Sequence, residues 1–210
     1  ARRRLAVTAR LVALASGSGT NLQAALDAGR DGRLDARVTR VIVNRRSAFA
    51  RERARAAGVP EEFRPMGPYR QRIDDPRAAR EAYDRDLATT VADEAPDLIV
   101  QLGWMHLFTS AFLDQFPSRV VNLHPALPGA FPGAHAIDDA WAAHQTEGLD
   151  HTGVMVHLVP DEGVDDGPVL ATEQVPILAD DTRESLEARI HAVEHRLVVT
   201  AIADLLARRP

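Results

Sequence analysis

The sequence has no cysteine and no lysine among its 210 residues. The missing cysteines exclude disulfides, thiol nucleophiles and cysteine ligands for a metal. The missing lysines exclude a lysine Schiff base and the lysine of a phosphate-binding P-loop. Since there is no lysine, all 25 basic residues are arginine. Long apolar runs are missing too. None approaches the ~20 residues that a membrane-spanning helix needs, and we expect no membrane partner.

The residues that are present suit a soluble globular chain, with 45% hydrophobic and 26% charged residues. A chain of this length can bury one sizeable core, so we expect a single domain over residues 1–210, with halves at about 11–117 and about 118–210. The net charge of -5 argues against nucleic acid as a partner, because nucleic-acid-binding domains are usually basic.

The N-terminal stretch ARRRLAVTARLVALASG combines a basic head, an apolar segment and small residues, as a secretory signal peptide does. Arg10 interrupts the apolar segment, however, and cleavage after Ala15 would remove the strand that leads into the next loop. We therefore interpret Leu11–Ala15 as the first strand of the fold, and we expect a cytoplasmic protein.

Apolar runs of strand length alternate with helical segments along most of the chain. This alternation predicts an open, mostly parallel α/β sheet of about seven strands with helices on both faces. Capping boxes are expected at Thr20 with Gln23 and at Asp181 with Glu184, and residues 66–76 are expected to form a loop. The predicted strands cover Leu11–Ala15, Ala36–Asn44, Glu61–Pro65, Asp97–Gly103, Arg119–His124, His151–Val159 and Pro168–Ile177.

A glycine loop, LASGSGTNLQA, follows the first predicted strand. A dinucleotide fingerprint is incomplete here, because Leu22 stands at the position of the third glycine and Asn44 ends the second strand where an acid is expected. Backbone N–H groups of Gly17–Asn21 at a helix N-terminus suit a single phosphate monoester. The alternative is a plain strand-to-helix turn.

The segment VVNLHPALPGAFPGAH places Asn122 and His124 at alternate positions of a predicted strand, so both side chains point to one face. They lie at the carboxyl end of the strand, where open α/β sheets bind ligands. A polar pair satisfied by the following Pro/Gly-rich loop is the structural alternative, but Asn-x-His-Pro at this position favours a functional site.

The acidic segment DEGVDDGP lies between two predicted strands. A solvated turn is the simplest interpretation for some of its acids. The turn could also return a carboxylate to the sheet beside His124. A carboxylate there would raise the pKa of His124 and favour the imidazolium.

A third motif, HAVEH, matches the His-x-x-Glu-His pattern of one class of metalloprotease. On a helix it would place His191 and His195 on one face beside Glu194. No third ligand is recognisable, and five-residue patterns recur by chance. A zinc peptidase using His191, Glu194 and His195 therefore remains a remote alternative.

Taken in order, LASGSGTNLQAALDAG, DLIVQLGWM, NLHPAL, FPGAH, DEGVDDGP and ARIHAVEHRL resemble the bacterial phosphoribosylglycinamide formyltransferases. These folate-dependent enzymes act in purine biosynthesis. The resemblance extends from about Leu11 to the last helix. It implies the formyltransferase fold, with a Rossmann-like N-terminal half that binds the nucleotide phosphate and a second half that binds folate.

The resemblance also implies three sets of site residues. The catalytic set would be Asn122, His124 and Asp165. The ribonucleotide would be held by Gly19, Thr20, Asn21, His191 and Glu194. The folate would contact Arg80, Met105, His106, Leu107, Phe108, Asn122, Asp161, Glu162, Gly163, Val164 and Asp165. The co-substrate would be 10-formyltetrahydrofolate, and no metal would be needed.

The implied chemistry suits these residue types. The substrate's own amine would attack the formyl carbon, so the chain needs no nucleophile of its own. Asn122 and a protonated His124 would donate to the developing oxyanion, each worth ~3–4 kcal/mol. Asp165 would keep His124 charged and accept the amine's proton, directly or through water.

Other readings stay open. The alternative functions are another folate-dependent formyltransferase, a 10-formyltetrahydrofolate hydrolase and a nucleotide-binding module without catalysis. A homodimer is one option for the assembly. The chain also departs from the family pattern. His106 stands where arginine is common, Pro128 and Gly129 shift the loop after Asn-x-His-Pro, and Val198 and Val199 replace a Tyr-Pro pair.

Overall fold

The computed structural model describes residues 8–208, which form a seven-stranded sheet covered by helices on both faces. The strands are β1 (Ala9–Ala15), β2 (Ala36–Val43), β3 (Glu61–Phe63), β4 (Leu98–Gln101), β5 (Val120–His124), β6 (His151–Leu158) and β7 (Val169–Pro176). The helices are α1 (Thr20–Arg30), α2 (Ala50–Ala56), α3 (Gly67–Arg72), α4 (Pro76–Asp93), α5 (Ser110–Leu113), α6 (Ala136–Glu147) and α7 (Arg183–Ala207).

The strand order across the sheet is β3-β2-β1-β4-β5-β6-β7. Neighbouring strands from β3 to β5 run parallel, whereas β6 pairs antiparallel with both β5 and β7. This arrangement confirms the predicted fold class and strand number. The connections after β1 and β4 leave on different sides, and such a switch point creates the crevice in which open α/β sheets bind ligands.

Alternate residues of the central strands enter two hydrophobic cores, one on each face of the sheet. In β1, Leu11 and Ala13 pack with α1 and α7, whereas Val12 and Leu14 pack with α4 and α5. All four are fully buried, as expected of a parallel strand that is covered on both sides.

The start of α1 differs from the prediction. Gly19 occupies the N-cap in a left-handed conformation (φ 71°), so Thr20 is already helical and makes no side-chain cap. The capping box expected for Thr20 and Gln23 is therefore wrong, and Gln23 donates to Asp27 instead.

Two further local predictions are wrong. The capping box of α7 is formed by Thr182 and Ser185 rather than by Asp181 and Glu184, because Asp181 instead pairs with Arg189. Residues 66–76 are not entirely loop, since α3 forms one short helix within them.

The N-terminal stretch enters the fold at the centre of the sheet. Residues Leu11–Ala15 lie in β1, between β2 and β4, and are fully buried, which supports their interpretation as a strand. The basic head Arg2–Arg4 lies outside the described residues. No helix within residues 8–208 is both long enough and apolar enough to cross a membrane.

Candidate active site

A cleft of about 390 Å³ opens at the carboxyl ends of β1, β4 and β5. The glycine loop after β1 lines one part of it, and Asn122 and His124 of β5 line another. A hydrogen bond from Ser16 N to Gly103 O (2.9 Å) holds the exits of β1 and β4 side by side. The sheet thus brings two motifs that are far apart in the sequence to one cleft.

Asp165 is the centre of the polar group in this cleft. Its Oδ1 accepts a hydrogen bond from the Asn122 amide at 3.0 Å, and its Oδ2 lies 3.3 Å from Nδ1 of His124. The same Oδ2 accepts from the backbone N–H of Gly133 at 2.8 Å. The structure therefore brings together the three residues predicted to be catalytic, while Asp166 is exposed.

The environment of Asp165 favours its ionised form. Burial opposes the negative charge, but the nearby ring of His157, the hydrogen bond from the Gly133 N–H and the nearby ring of His124 outweigh burial. The pKa of Asp165 therefore lies below its usual value.

His124 is almost completely buried and faces an oxygen at each ring nitrogen. Its Nε2 donates to the carbonyl of Phe131 at 3.0 Å, since a carbonyl can only accept, and its Nδ1 faces Asp165. Burial lowers the pKa of His124, although Asp165 and the Phe131 carbonyl act in the opposite direction. The predicted rise in its pKa is therefore wrong, because desolvation of the ring exceeds the effect of the carboxylate.

His157 belongs to the same group, although sequence reasoning did not single it out. It lies opposite Asn122 in the antiparallel pairing of β5 with β6. Its Nδ1 donates to the Leu158 carbonyl at 2.8 Å, which leaves Nε2 3.2 Å from the Asn122 amide and 3.5 Å from Asp165. The sequence feature that could have identified His157 is its inward position in the strand just before the acidic turn. A histidine in an apolar strand is equally typical of a packed core residue, so this feature is not specific.

Two residues that contact His124 have a left-handed backbone without being glycine. Phe131 has a φ of 45° and Asp165 a φ of 54°. Such conformations cost of the order of 1–3 kcal/mol and persist only when the surrounding structure enforces them. Phe131 supplies a carbonyl and Asp165 a carboxylate to the ring of His124. Both strained residues therefore orient the same side chain.

The glycine loop after β1 leads directly into α1 through Gly19. Gly19 combines its left-handed φ with a close approach to α2, where a Cβ would lie 2.8 Å from the Cα of Ala50. Only glycine meets both demands. The first turn of α1 contains no acidic residue, so its N-terminal backbone N–H groups border the cleft as a site for an anion.

The side chain of Asn21 is committed within the protein. Its Nδ2 donates to Oε2 of Glu194 at 3.1 Å, and the same oxygen lies 2.6 Å from Nδ1 of His191. The hydrogen bond to Glu194 raises the pKa of His191. These three predicted ribonucleotide residues are therefore together, and Asn21 keeps its second amide hydrogen and its backbone N–H as donors in the lining of the cleft.

The loop between β4 and α5 forms another wall of the cleft and is held at both ends. The Met105 N–H donates to Oγ of Ser16 at 2.9 Å, and both the N–H and the hydroxyl of Thr109 donate to Asp84 of α4, at 2.7 and 2.8 Å. Between them, Met105 and Leu107 are 45% and 57% exposed. The wall is fixed in place and presents apolar surface to the cleft.

The residues predicted to contact folate are divided between two neighbouring clefts. Those that line the first are Met105, His106, Leu107, Asn122, Val164 and Asp165. Those that line a second cleft, of about 600 Å³, are Arg80, Leu107, Phe108 and Glu162. Asp161 accepts from the backbone of Gly163 within the acidic turn, and neither lines a cleft. The structure therefore does not bring all of them to one surface.

The HAVEH motif of α7 does not assemble a metal site. The rings of His191 and His195 have their centroids 6.5 Å apart, and Glu194 is bound to Asn21. Within residues 8–208, no three histidine, aspartate or glutamate side chains are grouped so that they could hold a metal ion. The geometry gives the zinc peptidase hypothesis no support.

Known proteins resemble this chain over nearly its whole length. The formyl transferase family matches residues 9–202. Phosphoribosylglycinamide formyltransferase of Schizosaccharomyces pombe is 43% identical over 205 residues, which are 95% of this chain and 98% of that protein. The Escherichia coli protein of the same name is 36% identical over 197 residues, which are 92% of this chain and 87% of that protein.

Solved structures agree with the sequence comparisons. The crystal structure of glycinamide ribonucleotide transformylase 1 from Symbiobacterium toebii has a TM-score of 0.85 at 39% identity, covering 96% of this chain and 89% of that one. The structure of phosphoribosylglycinamide formyltransferase from Bacillus halodurans has a TM-score of 0.84 at 34% identity, covering 95% and 96%.

Proposed function

The chain belongs to the formyl transferase family, and on that premise we propose how it transfers the formyl group of 10-formyltetrahydrofolate to the amine of 5′-phosphoribosylglycinamide in purine biosynthesis. The observation that carries the mechanism is the convergence of Asn122, His124 and Asp165 in the cleft that the glycine loop also lines. The cleft therefore offers an anion site and a polar catalytic group to one ligand.

The glycine loop holds the acceptor. The substrate's single phosphate binds the free N–H groups at the start of α1, where the helix dipole also favours a negative charge. Glu194 lines the same cleft and, as a buried carboxylate, accepts hydrogen bonds from the ribose or glycinamide part. Held at the phosphate, the acceptor presents its amine to the residues at the end of β5, which converts a collision between two molecules into a positioned attack.

Asn122 and His124 stabilise the negative charge that develops on the formyl oxygen. His124 exchanges the Phe131 carbonyl for this oxygen as the acceptor of its Nε2–H. The two amide hydrogens of Asn122 face Asp165 and His157, so one of them turns to the formyl oxygen when substrate binds. Catalytic hydrogen bonds often form only in the complex, and each such donor is worth ~3–4 kcal/mol.

Asp165 has two roles in this proposal. It orients both donors, because it contacts the amide of Asn122 and the ring of His124. It also receives the proton that the amine loses, directly or through water, and this proton passes to the folate nitrogen as the bond from that nitrogen to the formyl carbon breaks and tetrahydrofolate leaves. Its lowered pKa makes it a weak base, so the orientation of His124 is the larger contribution.

The residues of the first cleft fit a folate co-substrate, which supplies the formyl group. Met105, Leu107 and Val164 are large apolar residues that are at least 36% exposed and that line the cleft. Exposed apolar surface of this kind is typical of a ligand site, and a flat aromatic ring would cover it. The main chain of the loop between β4 and α5 offers polar groups beside this surface.

The proposed function is tested by measuring folate product spectrophotometrically in three parallel reactions, two with different acceptors and one without an acceptor. We expect formyl transfer from 10-formyltetrahydrofolate with glycinamide ribonucleotide, and none with methionyl-tRNA. A reaction without acceptor measures hydrolysis and is expected to be slow. Folate consumption that does not depend on the ribonucleotide would indicate a hydrolase instead, and transfer to the tRNA would indicate another member of the family.

A further inference from the structure

The first cleft has to accept a phosphate although its lining carries more acids than arginines. A phosphate monoester has a charge of about -1.5 to -2 at pH 7, so a carboxylate beside it repels it unless a cation balances that carboxylate. Within the described part of the chain, the acids of the lining are Asp138, Asp165, Glu187 and Glu194, and its arginines are Arg45 and Arg183.

Two of the four acids have partners deep in the cleft. Asp165 faces the ring of His124 at 3.3 Å and accepts from the Asn122 amide. Glu194 lies 2.6 Å from Nδ1 of His191, and this hydrogen bond raises the pKa of His191, which favours a positive charge beside the carboxylate. The charges of the other two acids, on α6 and α7, remain to be balanced.

Arg183, in the first turn of α7, binds both remaining acids through different nitrogens. Its Nε donates to Oδ1 of Asp138 in the first turn of α6 at 2.6 Å, and its Nη1 donates to Oε2 of Glu187 at 2.8 Å. Two histidine nitrogens lie farther from these acids: His135 Nδ1 is 3.9 Å from Asp138, and His191 Nε2 is 3.7 Å from Glu187. One guanidinium therefore serves two carboxylates on this side of the cleft.

We propose that Arg183 is a specificity residue for an anionic acceptor: it neutralises Asp138 and Glu187, so that the side of the cleft formed by α6 and α7 does not repel the phosphate of the ribonucleotide. The inference rests on the proposed function for the identity of that acceptor. Arg183 acts through the charges of the two acids, whereas the glycine loop and Glu194 contact the substrate. Without Arg183, two carboxylates would face the anion with no arginine beside them.

The test measures Kd for glycinamide ribonucleotide by isothermal titration calorimetry without a formyl donor, in wild type and in Arg183→Gln. We expect Kd to rise by about threefold to fivefold at low ionic strength, the size typical of a partly exposed charge. In about 1 M salt the Debye length falls to about 3 Å, so the ratio of the two Kd values should approach one. Arg183→Lys keeps the charge and should recover most of the affinity.

Removal of one acid separates the role of charge from a role in packing. Arg183→Gln combined with Glu187→Gln leaves this group of three residues with the same net charge as in wild type. We expect the double variant to bind the ribonucleotide with a Kd within about twofold of wild type. If Arg183 served only to hold α6 against α7, the double variant would bind at least as weakly as Arg183→Gln alone.

Arg196→Gln is the matched control, because it removes the same charge from the same helix at a position that pairs with Glu173 of β7 outside the cleft. We expect its Kd to stay within about twofold of wild type. An unchanged Kd in Arg183→Gln, or a rise that persists in high salt and in the double variant, would overturn the inference.

The same experiment keeps the two proposals apart. A wild type that binds the ribonucleotide but transfers no formyl group to it would overturn the proposed function, and the Kd values of the variants would still decide the role of Arg183. A wild type that does not bind the ribonucleotide would overturn both.

Discussion

Asp165 contacts four polar partners with two oxygens, and this explains why one side chain can organise the site. Asn122, His124, Gly133 and His157 all lie within 3.5 Å of its carboxylate. These four partners belong to β5, the Pro/Gly-rich loop and β6. Asp165 therefore joins three separate parts of the fold through one side chain. Loss of its charge is therefore expected to affect several donors at once.

We expect Asp165→Asn to lower kcat/KM for formyl transfer by about 100- to 1000-fold, the range found when one preorganised group for an oxyanion is removed. An amide keeps the shape of the carboxylate, but one of its two ends becomes a donor and opposes the donors that face it. Steady-state kinetics with both substrates measure the effect.

The neighbouring acid provides the control for this substitution. Asp166→Asn removes the same charge from an exposed position in the same turn, and we expect kcat/KM within about twofold of wild type, as for surface changes away from special features. Equal losses in the two variants would show that the turn's total charge matters, and not the contacts of Asp165.

At the scale of secondary-structure elements, the loops that leave β1 and β4 form two walls of the cleft, and each wall is fixed by a few contacts. Gly19 brings the start of α1 against α2, and Asp84 of α4 holds Thr109. These contacts explain why the cleft has a definite shape although its walls are loops. Each can be removed by one substitution that has a matched control elsewhere.

Gly19→Ala is expected to destabilise the protein and to raise KM for the ribonucleotide. The substitution has two costs: a left-handed φ, about 1–2 kcal/mol for an L-residue, and a Cβ that would lie 2.8 Å from Ala50. Gly32→Ala carries only the first cost, since its φ is 75° and nothing lies within 4 Å of the new Cβ.

Urea unfolding and substrate kinetics separate the two contributions. We expect a larger loss of unfolding free energy for Gly19→Ala than for Gly32→Ala, and a change in KM for the first variant alone. If both variants lost the same stability and kept the same KM, the close approach to α2 would have no role in shaping the glycine loop.

Thr109→Val should destabilise the protein by about 1–3 kcal/mol, because a buried carboxylate loses a donor. Asp84 is fully buried, and its second oxygen has no hydrogen-bond partner among the described residues, so only the N–H of Thr109 would remain. Valine keeps the shape of threonine, which leaves the packing unchanged. Urea denaturation measures the loss of unfolding free energy.

Thr89→Val is the control, because Thr89 is an exposed residue of α4 that donates only to the carbonyl of Arg85. We expect a change within about 0.5 kcal/mol, as is usual for surface positions. Thr109→Ser should restore most of the stability that valine loses. A valine variant as stable as wild type would show that the hydroxyl of Thr109 does not stabilise the wall.

The ends of the elements were less predictable than their existence. Apolar runs identify the strands because a buried strand must be apolar on both faces. Caps depend on which side chain reaches the helix end in three dimensions, so Gly19 and Thr182 replaced the residues expected from spacing. The short α3 has no buried residue and therefore leaves no periodic apolar pattern to detect.

At the scale of the whole molecule, the sheet accounts for what the sequence could and could not show about the site. Asn122 and His124 were recognisable because they share one strand, and Asp165 because the family pattern contains it. His157 reaches the site only through the register of β6 against β5. Register is a property of the assembled sheet, so a single strand read by itself does not reveal it.

Glu194 joins α1 to α7 across one face of the sheet and gives a pH-dependent prediction. Its hydrogen bond raises the pKa of His191 above the usual 6.5. That contribution to stability is complete below the unfolded-state pKa and is lost as pH rises through the higher folded-state pKa. We therefore expect Glu194→Gln to destabilise the protein more at pH 6 than at pH 9, as measured by denaturant unfolding.

Glu187→Gln is the comparison, because Glu187 lies 3.7 Å from His191 on the same helix but is a weaker partner. We expect a smaller and less pH-dependent change. If Glu194→Gln cost the same stability at both pH values, the link between the helices would depend on the hydrogen bond from Asn21 and not on the charge of His191.

The acidic turn that carries Asp165 is closed at its base by a hydrogen bond from Leu158 N to Pro168 O at 2.9 Å. The pairing of β6 with β7 continues from that point regardless of the residues inside the turn, and Asp161, Glu162 and Val164 are exposed. We expect a single protease cut at one of them to leave the paired strands intact, while Asp165 loses the backbone restraint that places its carboxylate. The melting temperature of a preparation is therefore a poor measure of how much of it is active.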